Sequence, residues 1–275
     1  MTAGRTRAHS VKAHIARSVR ALSWAAAAAC AWAAHPAAAA LQDEIQVYTD
    51  DINKPGEFGV ELHVNATPSG RTTSDYPGEV PPAHGLRVTP EFSYGLSADW
   101  EAGFYLPALR KPDGDYDVAG AKVRLKWLPL KGDEERGGYY AGANVELSRL
   151  ARQYSESRWS SELRIMLGYR GPDWQIGFNP VFGWDLSDGL ADGKPDVAFG
   201  LKIGRTVAEG MSVGGEYYAE IGKWGEHVPA NQQDHRLFLV ADIDRKPWVF
   251  NVGVGRGLTA AADRWTVKLI AELPF

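Results

Sequence analysis

Residues 264–275 read Arg264-Trp265-Thr266-Val267-Lys268-Leu269-Ile270-Ala271-Glu272-Leu273-Pro274-Phe275. Side chains of an extended strand alternate between two faces. Trp265, Val267, Leu269, Ala271, Leu273 and Phe275 therefore share one face, and Arg264, Thr266, Lys268, Ile270 and Glu272 share the other. The stretch predicts a strand with one apolar and one largely polar side. A half-buried strand of a soluble sandwich also looks like this, so the decision rests on how often the pattern recurs.

It recurs along most of the chain. Alternation predicts strands over 57–66, 86–95, 98–107, 117–129, 138–148, 160–170, 173–184, 195–206, 211–221, 235–244, 247–256 and 265–275. Phe58, Val60, Leu62 and Val64 oppose Glu57, Glu61, His63 and Asn65; Leu163, Ile165, Leu167 and Tyr169 oppose Glu162, Arg164 and Arg170. Each segment is near the 9–11 residues that a tilted membrane strand needs. The connections add an independent signal. With both termini on one side, the even connections are short (96–97, 130–137, 171–172, 207–210, 245–246) and the odd ones long (67–85, 108–116, 149–159, 185–194, 222–234, 257–264). Short inner turns, long outer loops and an even strand number belong to barrels of the bacterial outer membrane. The expected fold is all-β, an antiparallel up-and-down transmembrane β-barrel of about 12 strands. Trp100, Trp127, Trp174, Trp184, Trp224, Trp248 and Trp265 fall near strand ends, where aromatic girdles sit.

The N-terminal 40 residues predict a secretory signal peptide. Arg5, Arg7, Lys12, Arg17 and Arg20 precede an apolar run from Ala21 to Ala34, and Ala38-Ala39-Ala40 offers the small-residue cleavage site. Residues 41–56 then form a periplasmic N-terminal segment or a short plug, and 57–275 the barrel. Without the leader the chain keeps 25 Lys and Arg against 34 acids, a net charge of −9, which argues against nucleic acid as a partner. Cys30 is the only cysteine and lies in the leader, so disulfides and thiolate metal sites are excluded from the barrel.

If the apolar set faces lipid, the opposite set lines a lumen. Its charged members include Glu61, Arg87, Glu91, Glu101, Lys122, Arg124, Lys126, Glu146, Glu162, Arg164, Lys202, Glu216, Arg236 and Lys268, with Glu57, Arg170, Glu220, Asp242 and Glu272 on the same face. Lys122, Arg124 and Lys126 form a basic ladder facing acids on the strands around it, with Glu146 or Asn144 as cross-strand partners. Twelve strands lie between the filled eight-stranded and open sixteen-stranded barrels. The lumen is therefore either filled by ion pairs or a water-filled path with a transverse field. Gly103, Gly120, Gly142, Gly168, Gly177, Gly183, Gly200, Gly214 and Gly253 fall on the lumen face and would leave space between the charges.

No catalytic constellation emerges. The histidines beyond the leader are His63, His84, His227 and His235, and no His-x-Ser pair occurs. Asp113-Gly114-Asp115 and Asp234-His235 have the composition of a rim protease site, but adjacent strand residues point to opposite faces. Asp185-Leu186-Ser187-Asp188-Gly189 lacks the ligand spacing of a calcium loop. The expectation is a barrel that is not an enzyme and holds no cofactor or metal.

Glu44-Ile45-Gln46-Val47-Tyr48, Pro55-Gly56-Glu57, Pro90-Glu91-Phe92-Ser93-Tyr94-Gly95-Leu96-Ser97, Trp100-Glu101-Ala102-Gly103 and Gly120-Ala121-Lys122-Val123-Arg124-Leu125-Lys126-Trp127 together resemble the meta-pathway-of-phenol-degradation family of outer-membrane proteins. The terminal strand ending at Phe275 likewise resembles the C-terminal signal read by the barrel-assembly machinery. These resemblances imply a Gram-negative, porin-like barrel that admits small organic compounds, with outer-membrane lipid, small solutes and that machinery as partners. They carry over no catalytic residues. The alternative is a closed barrel whose role lies in its outer loops, of which 67–85 is the longest.

Overall fold

A computed structural model describes residues 43–111, 113–133 and 135–273. The expected leader, Pro274 and the closing Phe275 lie outside the described residues. Fifteen strand segments form one antiparallel sheet. They are β1 (Phe58–Ser69), β2 (Leu86–Gly95), β3 (Trp100–Tyr105), β4 (Ala108–Arg110), β5 (Tyr116–Val118), β6 (Gly120–Leu130), β7 (Gly138–Leu150), β8 (Trp159–Arg170), β9 (Trp174–Asp185), β10 (Asp196–Ala208), β11 (Met211–Lys223), β12 (Glu226–His227), β13 (Asp234–Arg245), β14 (Trp248–Gly257) and β15 (Trp265–Leu273). Each long strand pairs with its neighbours in sequence, and β1 pairs with both β2 and β15, which closes the barrel.

The segments make twelve staves, as the alternation predicts. The third and fourth staves are interrupted. β3 stops at Tyr105 because Pro107 has no N–H for a ladder, and the short β4–β5 hairpin continues both staves outward beyond the break. β12 only extends the β11 hairpin.

The wall has two opposite faces. Outside, Val123, Leu125, Val145, Leu147, Phe178, Leu239 and Val267 are exposed, Leu239 to 76%. Inside, His63, Asn65, Glu91, Arg124, Asn144 and Lys268 are buried, Lys268 to 1% exposure. Apolar side chains outward and charges inward invert the order of a soluble protein, and only a lipid surround makes that favourable. The exposed tryptophans Trp100, Trp127, Trp159, Trp174, Trp224, Trp248 and Trp265 lie at strand ends or in adjoining turns.

Loop 70–85 does not project freely. Val80 packs on Leu109, Ala119, Leu150 and Tyr154, its N–H donates to the Gln153 carbonyl at 2.9 Å, and Tyr76 and Ala83 are buried. It is folded down against the outer ends of β4 to β7.

Candidate functional site in the barrel lumen

The lumen is threaded by the residues that precede β1. From Asp43 to Asn53 the chain makes no strand, yet Asp43, Ile45, Val47, Tyr48 and Thr49 are all buried. An irregular backbone inside a barrel must find hydrogen bonds from the wall, because the segment makes few of its own. The wall supplies them in order. Asn65 donates to the Asp43 carbonyl at 2.7 Å, Lys268 to that of Ile45 at 2.9 Å, Arg164 to that of Gln46 at 3.2 Å and Lys126 to that of Asp51 at 3.1 Å. Asn179 holds Tyr48 twice, accepting from its N–H at 2.6 Å and donating to its carbonyl at 3.0 Å. The Asn53 N–H donates to Glu101 at 2.8 Å, near the inner end.

The side chains of the segment are equally matched. The Tyr48 ring meets the cations of Arg164, Lys126 and Arg124 at 4.8, 5.4 and 5.5 Å. Its hydroxyl donates to Glu44 at 2.7 Å and lies 3.1 Å from the Tyr105 hydroxyl. Ile45 packs on Phe238 and Val240, while Tyr48 packs on Leu128 and Met166. Asp50 pairs with Arg170 at 2.5 Å.

Fourteen of the charges expected on the lumen face fall into this network or beside it. Lys122 stands 3.1 Å from Asp43, 2.7 Å from Glu44 and 3.0 Å from Glu146, so the cross-strand partner named from the sequence is present among others. Arg124 bridges Glu91 at 2.8 Å and Glu101 at 2.5 Å, and Lys126 reaches Glu101 at 3.1 Å. Glu162 pairs with Arg164, Lys202 with Asp242 and Glu216, Lys268 with Glu216, and Arg236 with Asp234. Glu61 lies 3.8 Å from His63, and Arg87 donates to Thr67 at 3.3 Å. The basic ladder is thus engaged by the segment and by wall acids rather than facing open water.

Space at the glycines is also taken. A Cβ at Gly103 would stand 2.8 Å from Arg124 Nε, one at Gly177 2.8 Å from the Tyr140 hydroxyl, and one at Gly253 3.1 Å from Lys268 Cε. Neighbouring long side chains lie over these glycines, so the expected gaps between charges are filled there. Gly183 differs: nothing lies within 4 Å of its Cβ position.

Gly183 borders what remains open. A cavity of about 240 Å³ lies between Asp43, Glu44 and Gln46 of the segment and Ser155 and Glu156 of the 151–158 loop. Its wall includes Glu146, Glu162, Arg164, Asp185, Asp196, Tyr218 and Glu220. Asp185, Asp196 and Glu220 have no cation within ion-pair distance among the described residues. The mouth of the lumen is acidic and partly unpaired, whereas the interior below it is charge-matched.

Two other clusters carry less. Glu44, His63 and Glu91 bring ligand-type atoms within 4.8 Å of one another, but Lys122 and Arg124 already neutralise both carboxylates. At the outer rim, Asp234 binds Arg236 while His235 binds Tyr217 and Gln233, so the adjacent pair diverges as the strand geometry predicts. Outside the barrel wall, Asp188 accepts from the Arg158 backbone at 2.8 Å and its guanidinium at 2.9 Å. Those Arg158 bonds, with one from Ser187, hold the Asp188 carboxyl well below the usual carboxylate range.

No protein-family model and no curated protein matches this sequence. Among solved structures, the chain is similar to an outer membrane channel from Pseudomonas putida F1, at 15% identity and a TM-score of 0.56, over 84% of this chain and all of that one. The protein is an outer-membrane β-barrel. The NanC porin is also similar, at 10% identity and a TM-score of 0.49, over 80% of this chain and all of that one. The residues that sequence reasoning missed are those that join the lumen segment to the wall: Asn179 and Tyr105 on the wall, and Asp43, Glu44 and Tyr48 on the segment itself. Only the apolar alternation of Ile45 and Val47 hinted that 43–53 is buried.

Proposed function

We propose that the barrel is a narrow passive channel for small solutes, gated by residues 43–53. The observation that carries this reading is how the segment is held. Its backbone is bound all along by polar side chains of the wall, and water or a polar solute can replace those hydrogen bonds as the segment shifts. A structural core would instead be apolar and tightly interlocked. The acidic mouth attracts cationic and zwitterionic solutes by concentrating them at the entrance. The sequence resemblance to the phenol-degradation family supports small organic compounds as cargo, with Tyr48, Tyr105, Tyr140 and Tyr218 as aromatic surfaces along the lumen. The similarity to the Pseudomonas channel supports transport rather than catalysis.

The test pins the segment. A Cβ at Gly200 would lie 3.2 Å from Val47 Cγ2, the γ position that the sulfur of a cysteine at residue 47 can take, which brings the two positions within reach of a disulfide. The barrel contains no cysteine of its own, so V47C/G200C introduces a single defined link. In planar bilayers the reduced double variant should conduct in discrete steps, and the oxidised one should fall silent. Equal conductance in both states would show that solutes bypass the segment. Silence in both states, with folding verified by heat-modifiable gel mobility, would favour the closed-barrel alternative and its outer loops.

A further inference from the structure

On the outer wall, arginines stand beside tryptophans on neighbouring strands. Arg149 faces Trp159 at 5.9 Å and Arg256 faces Trp265 at 4.9 Å, both at the ends of the wall that carry the long loops. A third pair, Arg205 with Trp174 at 5.4 Å, lies at the opposite end. The tryptophans mark headgroup height on each side. An arginine stacked on such a ring buries its stem and presents the planar fork of its guanidinium to whatever lies at that level.

Around Arg256 the wall forms a site. A crevice of about 430 Å³ runs between the outer ends of β14 and β15 and the residues after β1, bordered by Arg71, Arg256, Leu258, Thr259 and Arg264, with no acid in its lining. Arg71 is taken up by Asp75 and Glu79. Arg256 and Arg264 are exposed and meet no carboxylate among the described residues, whereas Arg124, Arg164, Arg170 and Arg236 in the lumen are all ion-paired. In a mature chain of net charge −9, two unopposed arginines at one rim call for an anion from outside the protein. Guanidinium groups match phosphate with two parallel hydrogen bonds. Leu258, 55% exposed, adds an apolar contact at the edge.

We propose that this crevice binds a phosphate group of the phosphorylated glycolipid that forms the outer leaflet. The site is independent of what the lumen transports. Arg149 and Trp159 form a simpler counterpart on the opposite side of the wall.

Native mass spectrometry of the full-length barrel in mild detergent tests it, with bisphosphorylated lipid A as the probe. R256A/R264A should lower the lipid-bound fraction by about tenfold, the loss expected for charge-assisted hydrogen bonds. R256K/R264K, which keeps the charge but loses the fork, should fall between, and it stands in if the alanine variant fails to fold. R205A, at the inner end, should leave lipid A binding unchanged. Dephosphorylated glycolipid should bind weakly to the parent protein, and added inorganic phosphate should not displace lipid A. Unchanged occupancy in R256A/R264A, equal binding of the dephosphorylated lipid, or ready displacement by inorganic phosphate would each overturn the proposal.

Discussion

The lower lumen and its mouth are built from the same residue types and reach opposite electrostatic ends. Around residues 43–53, Lys122 meets three carboxylates, Arg124 meets two, and wall cations and amides hold five backbone carbonyls. At the mouth, Asp185, Asp196 and Glu220 face a cavity without a paired cation among the described residues. A charge matched in a confined space fixes structure, because removing one partner strands the other. A charge left unmatched beside water is free to act on a passing ion. The difference separates the part of the lumen that holds the segment from the part that meets solute first.

The largest effect should come from breaking the matched region. Lys122→Met leaves Asp43, Glu44 and Glu146 without their shared cation and should cost about 3–5 kcal/mol, read as a lower midpoint in denaturant unfolding from lipid. A wild-type midpoint would mean that water already screens this cluster. Asn179→Ala removes both bonds to the Tyr48 backbone while sparing every charge. It should raise the open fraction in single-channel records by about tenfold, the worth of an amide pair in a confined site. An unchanged open fraction would remove Asn179 from the gate.

The mouth answers to a gentler change. D185N/D196N/E220Q should lower cation-over-anion permeability several-fold at low salt and hardly at all at high salt, as screening predicts. A ratio that ignores the triple substitution would move the selectivity step down to the segment. The smallest effect concerns the 186–195 loop. The Asp188 carboxyl is depressed by its bonds to Arg158, so the loop gains order above the ordinary aspartate value of about 3.9 and loses it as pH falls through the depressed one. Protease cleavage within 186–195 should therefore begin to rise as the pH falls below about 4 and keep rising into stronger acid, and equal cleavage at pH 3 and pH 7 would show that the Arg158 contact does not order the loop.

Much of the wall was legible because period-two alternation is a local property. The strand 86–95 has the ends that its pattern predicts, and most others differ by one to three residues. The strand expected over 98–107 ends at Tyr105, and beyond Pro107 the wall resumes as β4 and β5, where the pattern predicts a loop over 108–116. The lumen was less legible, for a physical reason. Which cation meets which acid depends on the cross-section of the closed barrel, and on a segment that forms no strand of its own. Glycine misled in the same way. Gly103 and Gly253 are seats for Arg124 and Lys268 from adjacent strands, and Gly177 for Tyr140 from two strands away, and only three-dimensional register shows who occupies them.

Asn65 and Lys268 stand directly opposite each other across the β1–β15 pair, where the sheet meets itself. They also hold the carbonyls of Asp43 and Ile45. The inner segment thus works as a mandrel on which the first and last strands are aligned. Sliding β15 by one residue would turn Lys268 toward lipid and leave the Ile45 carbonyl without its donor. Register at the seam and occupancy of the lumen thus lean on the same two side chains, added to the alternation that already sets the apolar face outward.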